Sequence, residues 1–474
     1  MTAAVRDHVN QELFRQALAI IIIRRQDVGM VLPMSPEFLP ASFKSNVRQT
    51  IQDQTPGTEE SLININWNEP PYQTYDQSEP EYNLWYFIED PEANSYHFYW
   101  HILSKNASLD RRGEFFFYMH RQMIVRYRVE RLTQRLTSIQ PLSPDTWGKP
   151  ITLGYFPKLG AETGTAYQGR PDNLVMEDLV DGSARTPISL LATWYQQIEE
   201  AIKDGKVSTT NGSNIPLQAN QGRDEGISVL GDLIESLNSV NQQLYGNLHN
   251  LGHDFIARVT DPHGRHLAEP GVMNSAATSM RDPVFYRWHQ FIDDIFSDYK
   301  VSLPQYTEDE LNFRGVKILG SQLVTDRKKN ELHALTDQGE VLLPGLDFLS
   351  NTTLRIKYNR LNHQSFKYRI FVSSKYRVKA KVRIFLIPKE TPLHSAPLAI
   401  EMDKFLVTLK RGNNMLRRDS EQTPVTGKRQ RSLLELQVAL SSGNITEREL
   451  GQFEGQPTFS YPGAQTMPLH LLCL

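Results

Sequence analysis

Residues 247–253 read NLHNLGH, and this stretch places His249 and His253 four positions apart. An earlier stretch, residues 96–101, reads YHFYWH and repeats the spacing with His97 and His101. Four positions along an α-helix correspond to about 40° of rotation and about 6 Å of rise, so both imidazoles leave the same face. Each stretch therefore predicts a helix with two histidines that can bind one metal ion.

One further histidine follows each pair in a segment compatible with a helix. His120 follows the first pair and His289 follows the second. The chain has 13 histidines, and chance would give roughly 0.35 pairs at this spacing. The pattern predicts two sites of three histidines each. Spacing alone also allows the alternative that these are ordinary core or surface histidines.

The absence of acidic ligands between the histidines restricts the metal. Neutral imidazole suits zinc, copper, iron and nickel, whereas magnesium, calcium and carboxylate-bridged di-iron sites need Asp or Glu. Both pairs lack the glutamate of the His-Glu-x-x-His motif, so a zinc metalloprotease would have no general base. The only cysteine, Cys473, excludes an intrachain disulfide framework and thiolate clusters. Two cuprous ions in facing all-histidine sites can jointly reduce O₂.

Composition describes a globular chain without an obvious macromolecular target. Its 474 residues include 51 Lys and Arg against 54 Asp and Glu, a net charge of −3, and 39% are hydrophobic. This balance argues against a nucleic-acid partner that depends on bulk positive charge. The longest apolar stretch, residues 17–23, is far shorter than the roughly 20 residues of a membrane span. No secretory-signal layout is visible at the start of the sequence, and no membrane partner is expected.

Apolar periodicity divides the chain into a helical part and a β part. Residues 50–83 are rich in proline and polar residues and are typical of a linker, and Pro141 to Thr186 form a long excursion without helical periodicity. Helices are predicted within residues 10–25 and 84–140 and over Ile188–Ala201, Ile227–Gly252 and Pro283–Tyr299.

After residue 305 short runs of β-branched and aromatic residues alternate with polar ones, which predicts a β-sandwich. The runs are residues 341–343, 354–358, 368–372, 382–386 and 405–409. The tail after about residue 425 loses this alternation, and we assign it no structure.

The amino-acid sequence around the histidines resembles that of one family. Residues 247–253 and residues 280–289, which read MRDPVFYRWH, are similar to the second copper site of the arthropod hemocyanin and prophenoloxidase family. The resemblance extends from about residue 8 to 425. The other stretches that carry it are 110–114 (DRRGE), 117–122 (FYMHRQ), 261–265 (DPHGR), 271–273 (GVM), 358–363 (YNRLNH), 382–388 (VRIFLIP) and 401–405 (EMDKF).

This resemblance implies an α+β multidomain fold and a type-3 pair of copper ions. Residues 1–83 would be a truncated helical N-terminal domain with a linker, 84–305 a four-helix dicopper domain, and 306–474 an incomplete immunoglobulin-like β-sandwich with an atypical tail. The family's leading segment and the far end of its sandwich are expected to be missing. The implied ligands are His97, His101 and His120 for the first copper and His249, His253 and His289 for the second.

Three stretches resemble phenoloxidases more than oxygen carriers: residues 154–159, 170–173 and 261–266. They imply an oxidoreductase that converts o-diphenols, with monophenols as a second substrate class, to o-quinones with O₂. By resemblance, the protein would serve melanin formation and innate immunity in haemolymph, outside the cell, as a homo-oligomer or as a hetero-oligomer with related subunits. Two alternatives stay open: a hemocyanin-type reversible oxygen carrier and a copper-free, hexamerin-like storage protein.

Departures from the family pattern fall close to the implied ligands. Ala276 occupies the position, thirteen residues before the last ligand, where phenoloxidases carry a glutamate thought to act as an acid and base. We therefore name no certain catalytic residue and expect monophenol hydroxylation to be weak. Phe285 lies one helical turn before His289 and is the candidate for stacking against a phenolic ring, with a plain core phenylalanine as the alternative.

Overall fold

A helical half is followed along the chain by a β-rich half, which confirms the predicted α+β class. The computed structural model describes residues 61–66, 80–104, 110–161, 165–218, 225–307, 312–326, 330–343, 352–389, 398–423 and 469–473, together with isolated positions. None of the helices in these ranges combines the length and apolar character needed to cross a bilayer. The helix predicted within residues 10–25 lies outside the described residues, apart from Phe14 and Ala17.

The helical half contains four long or medium helices that carry the paired and single histidines. Its helices are α1 (Trp85–Ile88), α2 (Pro91–Ser104), α3 (Arg112–Thr133), α4 (Pro144–Trp147), α5 (Ser189–Asp204), α6 (Glu225–Glu235), α7 (Gln242–Tyr245), α8 (Leu248–Ala257) and α9 (Pro283–Ser302). Short 3₁₀ turns lie at Pro80–Leu84, Val272–Asn274 and Ser279–Arg281. The excursion from residue 141 to 186 ends in a small hairpin, β2 (Leu179–Asp181) with β3 (Ala184–Thr186).

The single helix predicted over Ile227–Gly252 is wrong, because three separate helices occupy that stretch. Ser236 has a φ of +70° immediately after α6, and Gly246 has a φ of +69° immediately after α7. These left-handed conformations end a helix even where apolar residues continue. The Asn241 side chain then accepts a hydrogen bond from the Leu244 N–H at 3.2 Å and starts α7. As a result His249 lies in the first turn of a new helix, α8.

A glycine allows α8 to approach α9 closely. Gly252 lies between His249 and His253, and a Cβ placed there would overlap the Trp288 ring. Trp288 is fully buried and directly precedes His289. The absence of a side chain at residue 252 therefore brings two histidines of α8 next to the histidine of α9.

The β half contains all five predicted runs, each within a longer antiparallel strand. Strands β6 and β12 and the tail strand β13 were not predicted. The described strands are β6 (Val316–Val324), β7 (Ala334–Leu343), β8 (Thr352–His363), β9 (Lys367–Ser374), β10 (Val378–Pro388), β11 (Ile400–Leu409), β12 (Gly412–Asp419) and β13 (Leu469–Cys473).

Strand order shows that distant parts of the chain complete the sheets. The three larger sheets have the orders β1-β8-β7, β11-β10-β13 and β12-β9-β6, where β1 (Ser61–Asn66) precedes the helical half in sequence. β1 pairs with β8 in parallel, and β13 pairs with β10 antiparallel. Small hairpin strands β4 (Lys206–Ser208) and β5 (Asn214–Pro216) follow α5. The β half therefore uses strands from both sides of the helical half.

Candidate metal centre

Six buried or partly buried histidines meet between four helices. α2 provides His97 and His101, α3 provides His120, α8 provides His249 and His253, and α9 provides His289. The rings of the two i, i+4 pairs lie 4.5 Å and 4.7 Å apart between centroids. The structure thus places all six candidate histidines next to one another.

The histidines form two groups that touch each other. In the first group the His120 ring lies 5.5 Å from His97 and 5.4 Å from His101. In the second group the His289 ring lies 5.1 Å from His249 and 5.2 Å from His253. The His120 and His289 rings stack across the boundary with centroids 4.7 Å apart and an interplanar angle of 10°.

Ring nitrogens, which are the ligand atoms, give a finer grouping. One nitrogen from each of His97, His101 and His120 lies within 4.8 Å of the others. A second group meeting the same distance consists of His120, His249 and His289, so His120 takes part in both groups. His253 borders this second group, with its Nε2 buried and without a hydrogen-bond partner.

Backbone carbonyls fix the outer nitrogen of most rings. The Nδ1 atoms of His97, His120, His253 and His289 lie 2.8 to 2.9 Å from carbonyl oxygens, and those oxygens belong to Ala276, Phe116, Met273 and Phe285 respectively. Because a carbonyl only accepts, these four Nδ1 atoms carry the proton and donate it. The four Nε2 atoms are then unprotonated and able to bind a metal.

His249 uses a side chain instead of a carbonyl. Its Nδ1 donates to the Oδ1 of Asn250 at 3.0 Å, while the Asn250 amide group donates to the Glu235 carbonyl at 2.9 Å. This places the Nε2 of His249 only 3.1 Å from the Nε2 of His289. The sequence interpretation missed Asn250 and the carbonyls of Ala276 and Met273, because backbone acceptors leave no trace in residue types.

Two close pairs of ring nitrogens test whether a cation fits the site. The Nε2 atoms of His249 and His289, 3.1 Å apart, are both unprotonated when their Nδ1 atoms donate, and such a contact is repulsive without a proton or cation between them. The Nε2 atoms of His97 and His101 face each other at 2.9 Å. The Nε2 of His120 is buried without any partner. Metal–imidazole bonds of about 2.0 Å, with ligand nitrogens about 3 Å apart, would satisfy these atoms.

Burial keeps the imidazoles neutral. Removal from water, opposed by the hydrogen bond to Phe116, lowers the pKa of His120 to about 3, and removal from water lowers that of His253 to about 4. Burial, reinforced by neighbouring imidazoles, lowers the pKa of the other four histidines well below the usual value. Neutral imidazole is the form that binds metals, so the group needs no proton release at neutral pH.

Aromatic rings surround the histidines. Phe285 is fully buried, and its ring lies 3.9 Å from that of His289 and 5.2 Å from that of His97. Phe116 lies 4.4 Å from His120, and Trp100 lies 5.0 Å from His101. This shell removes the imidazoles from water and leaves His101 and His253 as the two partly exposed ligand candidates.

Three acidic residues near the candidate ligands in sequence are bound to arginines. Asp282 pairs with Arg170 at 2.6 Å and accepts from the Val284 N–H at the start of α9. Asp293 pairs with two arginines of α3, at 3.1 and 2.9 Å. Glu114 pairs with Arg111 on the surface. These carboxylates therefore form ion pairs and do not accept hydrogen bonds from the candidate ligands in the described contacts.

Comparison with known proteins supports the copper assignment of the fold. The profile of the family described as hemocyanin, copper containing domain, matches residues 30–296, and that described as hemocyanin, ig-like domain, matches residues 305–469. Phenoloxidase 3 of Drosophila erecta is 36% identical over 445 residues, which cover 89% of this chain and 64% of that protein. Hemocyanin G chain of an Aphonopelma species is 37% identical over 440 residues, covering 88% and 67%.

Solved structures similar to this chain likewise include a prophenoloxidase and a hemocyanin. A crustacean hemolymph-type prophenoloxidase superposes with a TM-score of 0.80 at 30% identity, covering 89% of this chain and 69% of that one. A scorpion hemocyanin in its activated state superposes with a TM-score of 0.79 at 32% identity, covering 96% and 73%. Proteins named as oxidases and proteins named as hemocyanins are therefore similar to this chain to the same degree.

Proposed function

Since the chain belongs to the arthropod hemocyanin and phenoloxidase family, we propose that it is a phenoloxidase-type copper oxidoreductase that oxidises o-diphenols to o-quinones. Each diphenol gives up two electrons and two protons. One O₂ accepts four of each from two diphenols and becomes two waters. The single observation that carries the proposal is the convergence of six neutral imidazoles, in which the Nε2 atoms of His120 and His253 are buried without a hydrogen-bond partner and the other four lie in two close pairs. The chain spans 64% of the length of the Drosophila erecta relative.

We propose His97, His101 and His120 as ligands of one copper and His249, His253 and His289 as ligands of the other. Bound as a cuprous pair, copper supplies the electrons that reduce O₂. The protein holds five of the six rings by the outer nitrogen and excludes carboxylates from the two nitrogen groups, which consist of histidine alone in the described part of the chain. The neutral ligand set would leave the full positive charge on the metals, and that charge would favour binding of a phenolate.

Ala276 directs the choice between phenols. Its carbonyl orients His97, but its methyl group offers no base at the place where a carboxylate would accept a phenolic proton. A diphenol has two hydroxyls to lose and is oxidised without forming a new C–O bond. We propose o-diphenols as the main substrates and monophenol hydroxylation as a slow reaction in which water accepts the proton.

An oxygen carrier is the second candidate, and one observation favours it. Phe285 is fully buried between His289 and His97, and Phe116 closes the boundary between the two groups. Rings packed this tightly admit O₂ more easily than a phenol. In a carrier, dioxygen would bind reversibly and no quinone would appear.

One experiment distinguishes the candidates. Purified protein is loaded with cuprous ion, its copper content is measured, and catechol oxidation is followed by quinone absorbance and O₂ consumption. We expect two coppers per chain and turnover with one O₂ consumed per two quinones. Two coppers with reversible O₂ uptake and no quinone would support the carrier, and fewer than one copper per chain would overturn both. The variant His249→Ala should lose turnover, whereas the matched surface variant His266→Ala should retain it.

The domain boundaries, the location, the subunit association and the biological role are also proposals. We propose the domain division at residues 83 and 305, an extracellular location in haemolymph, association with related subunits, and a role in melanin formation and innate immunity. Each follows from family membership and the proposed activity. Size measurement of the copper-loaded protein and detection of the chain in haemolymph test the association and the location.

A further inference from the structure

One face of α3 packs on the β-sandwich, while another face carries His120. Tyr118, Gln122, Val125 and Val129 recur at i, i+4, i+7 and i+11, which makes one stripe along a helix. Val125 and Val129 are almost fully buried and belong to the same apolar cluster as the core of the sandwich. His120 lies about 200° around the helix from Tyr118, so the stripe and the ligand candidate point in nearly opposite directions.

Polar contacts fix the position of α3 along the sandwich. The Nε2 of Gln122 donates to the Ala399 carbonyl at 3.2 Å, and the Glu401 N–H donates to the Oε1 of Gln122 at 2.8 Å. One side-chain amide thus pairs with the backbone at the start of β11 as a neighbouring strand would. Arg383 on β10 donates to the Tyr118 hydroxyl at 2.6 Å and pairs with the Glu401 carboxylate at 2.8 Å. These contacts flank His120, two residues away on each side.

The start of α2 is fixed to the sandwich by a single buried carboxylate. Asp90 accepts the Ala93 N–H with Oδ1 at 2.8 Å, which begins the helix, and accepts the Leu361 N–H of β8 with Oδ2 at 2.8 Å. Glu92, in the first turn of α2, pairs with Arg360 of the same strand at 3.4 Å. The helix that carries both histidines of the first pair is therefore tied to β8 at its origin.

The other two helices take their polar contacts from the helical half. His253 of α8 donates to the Met273 carbonyl, and Asp293 of α9 pairs with Arg121 and Arg128 of α3. The two histidine trios thus have different supports. The helices of the first trio contact the sandwich in addition to other helices, whereas the contacts named for the second trio lie within the helical half.

We propose that the β-sandwich positions the first trio, with Gln122 and Asp90 as the positioning residues. This inference rests on the proposed function, because it concerns how tightly that trio holds copper. Gln122 fixes where His120 lies along β11, and Asp90 fixes where α2 begins. Without one of these contacts, α3 or α2 keeps the backbone hydrogen bonds inside the helix but shifts relative to the sandwich. The Nε2 atoms of His97, His101 and His120 then no longer converge.

The test compares the two copper sites of single variants. Cuprous ion is titrated into wild type, Gln122→Ala and Asp90→Ala in competition with a coloured cuprous chelator. We expect one site to weaken by about 10- to 100-fold and the other to remain unchanged. Val372→Ala, buried in the same sandwich core but on β9, is the control for lost stability and should retain both sites. Equal affinities in Gln122→Ala and wild type would overturn the inference and leave the proposed function intact.

Two further measurements identify the affected trio. In a His253→Ala background Gln122→Ala should weaken the remaining site, whereas in a His101→Ala background it should not. In the metal-free protein, diethylpyrocarbonate should modify His120 faster in Gln122→Ala than in wild type, with His289 unchanged. An unchanged rate at His120 would overturn the inference even if the wild type bound no copper, an outcome that would refute the proposed function separately.

Discussion

Replacing Gly252 by alanine tests whether the contact between α8 and α9 forms the second histidine trio. A Cβ at this position would overlap three carbons of the Trp288 indole. Trp288 is fully buried, with the Phe291 ring 5.3 Å and the Trp147 ring 6.2 Å from its own ring. The indole therefore has no free space to enter, and the helices must separate.

Two opposing effects set the magnitude. Alanine in place of glycine inside a helix stabilises by about 0.5–1 kcal/mol. Overpacking a filled core costs about 1–3 kcal/mol, and a clash with a ring that cannot move lies at the upper end. We expect a net loss of about 1–2 kcal/mol in the free energy of unfolding. A shift of about 1 Å between α8 and α9 also separates the Nε2 atoms of His249 and His289.

The assay combines urea denaturation with a count of bound copper per folded chain. We expect Gly252→Ala to be less stable and to bind copper more weakly at one site. Gly148→Ala is the matched control, because a Cβ at residue 148 meets no atom within 4 Å and the backbone φ there is −88°. A Gly252→Ala protein with wild-type stability and two tightly bound coppers would refute the packing argument.

Three further predictions concern protons, the aromatic shell and the substrate. In the metal-free protein the folded-state pKa values of about 3 for His120 and about 4 for His253 lie below the usual 6.5. The free energy of unfolding is therefore highest above about pH 6.5 and falls as the pH drops toward 4, by about 1.4 kcal/mol per pH unit for each proton taken up. Urea denaturation midpoints at about pH 7, 6 and 5 measure this decrease. Midpoints that did not change with pH would contradict the prediction. Phe285→Leu should leave the free energy of unfolding within about 1.5 kcal/mol of wild type. It should increase catechol turnover, because the phenyl ring closes the site. Unchanged turnover would mean that phenols enter elsewhere. Ala276→Glu should raise the ratio of monophenol hydroxylation to diphenol oxidation on the order of 100-fold. Parallel assays with tyramine and dopamine measure this ratio. An unchanged ratio would refute the role of this position.

Local periodicity predicted much of the fold from the residues. The alternation of apolar and polar side chains located every β run that was named, and the i, i+4 histidines predicted two helices that exist as α2 and α8. The same reasoning failed over Ile227–Gly252. Apolar spacing continues there across two left-handed residues, Ser236 and Gly246, that interrupt the helix. Strands β1 and β13 were not predicted, because their pairing partners lie hundreds or tens of residues away.

For the metal centre, the sequence by itself singled out the six histidines that we propose as copper ligands and predicted that they lie on helices. A spacing of four residues is a property of one helix and is visible in the chain. The tertiary structure alone decided that His120 lies between the two groups, that Phe285 is enclosed, and that carbonyls from Ala276 and Met273 fix the imidazoles. The physical reason is that these relations depend on how helices pack, through contacts such as Gly252 on Trp288, and no local pattern encodes the distance between residues so far apart in the chain.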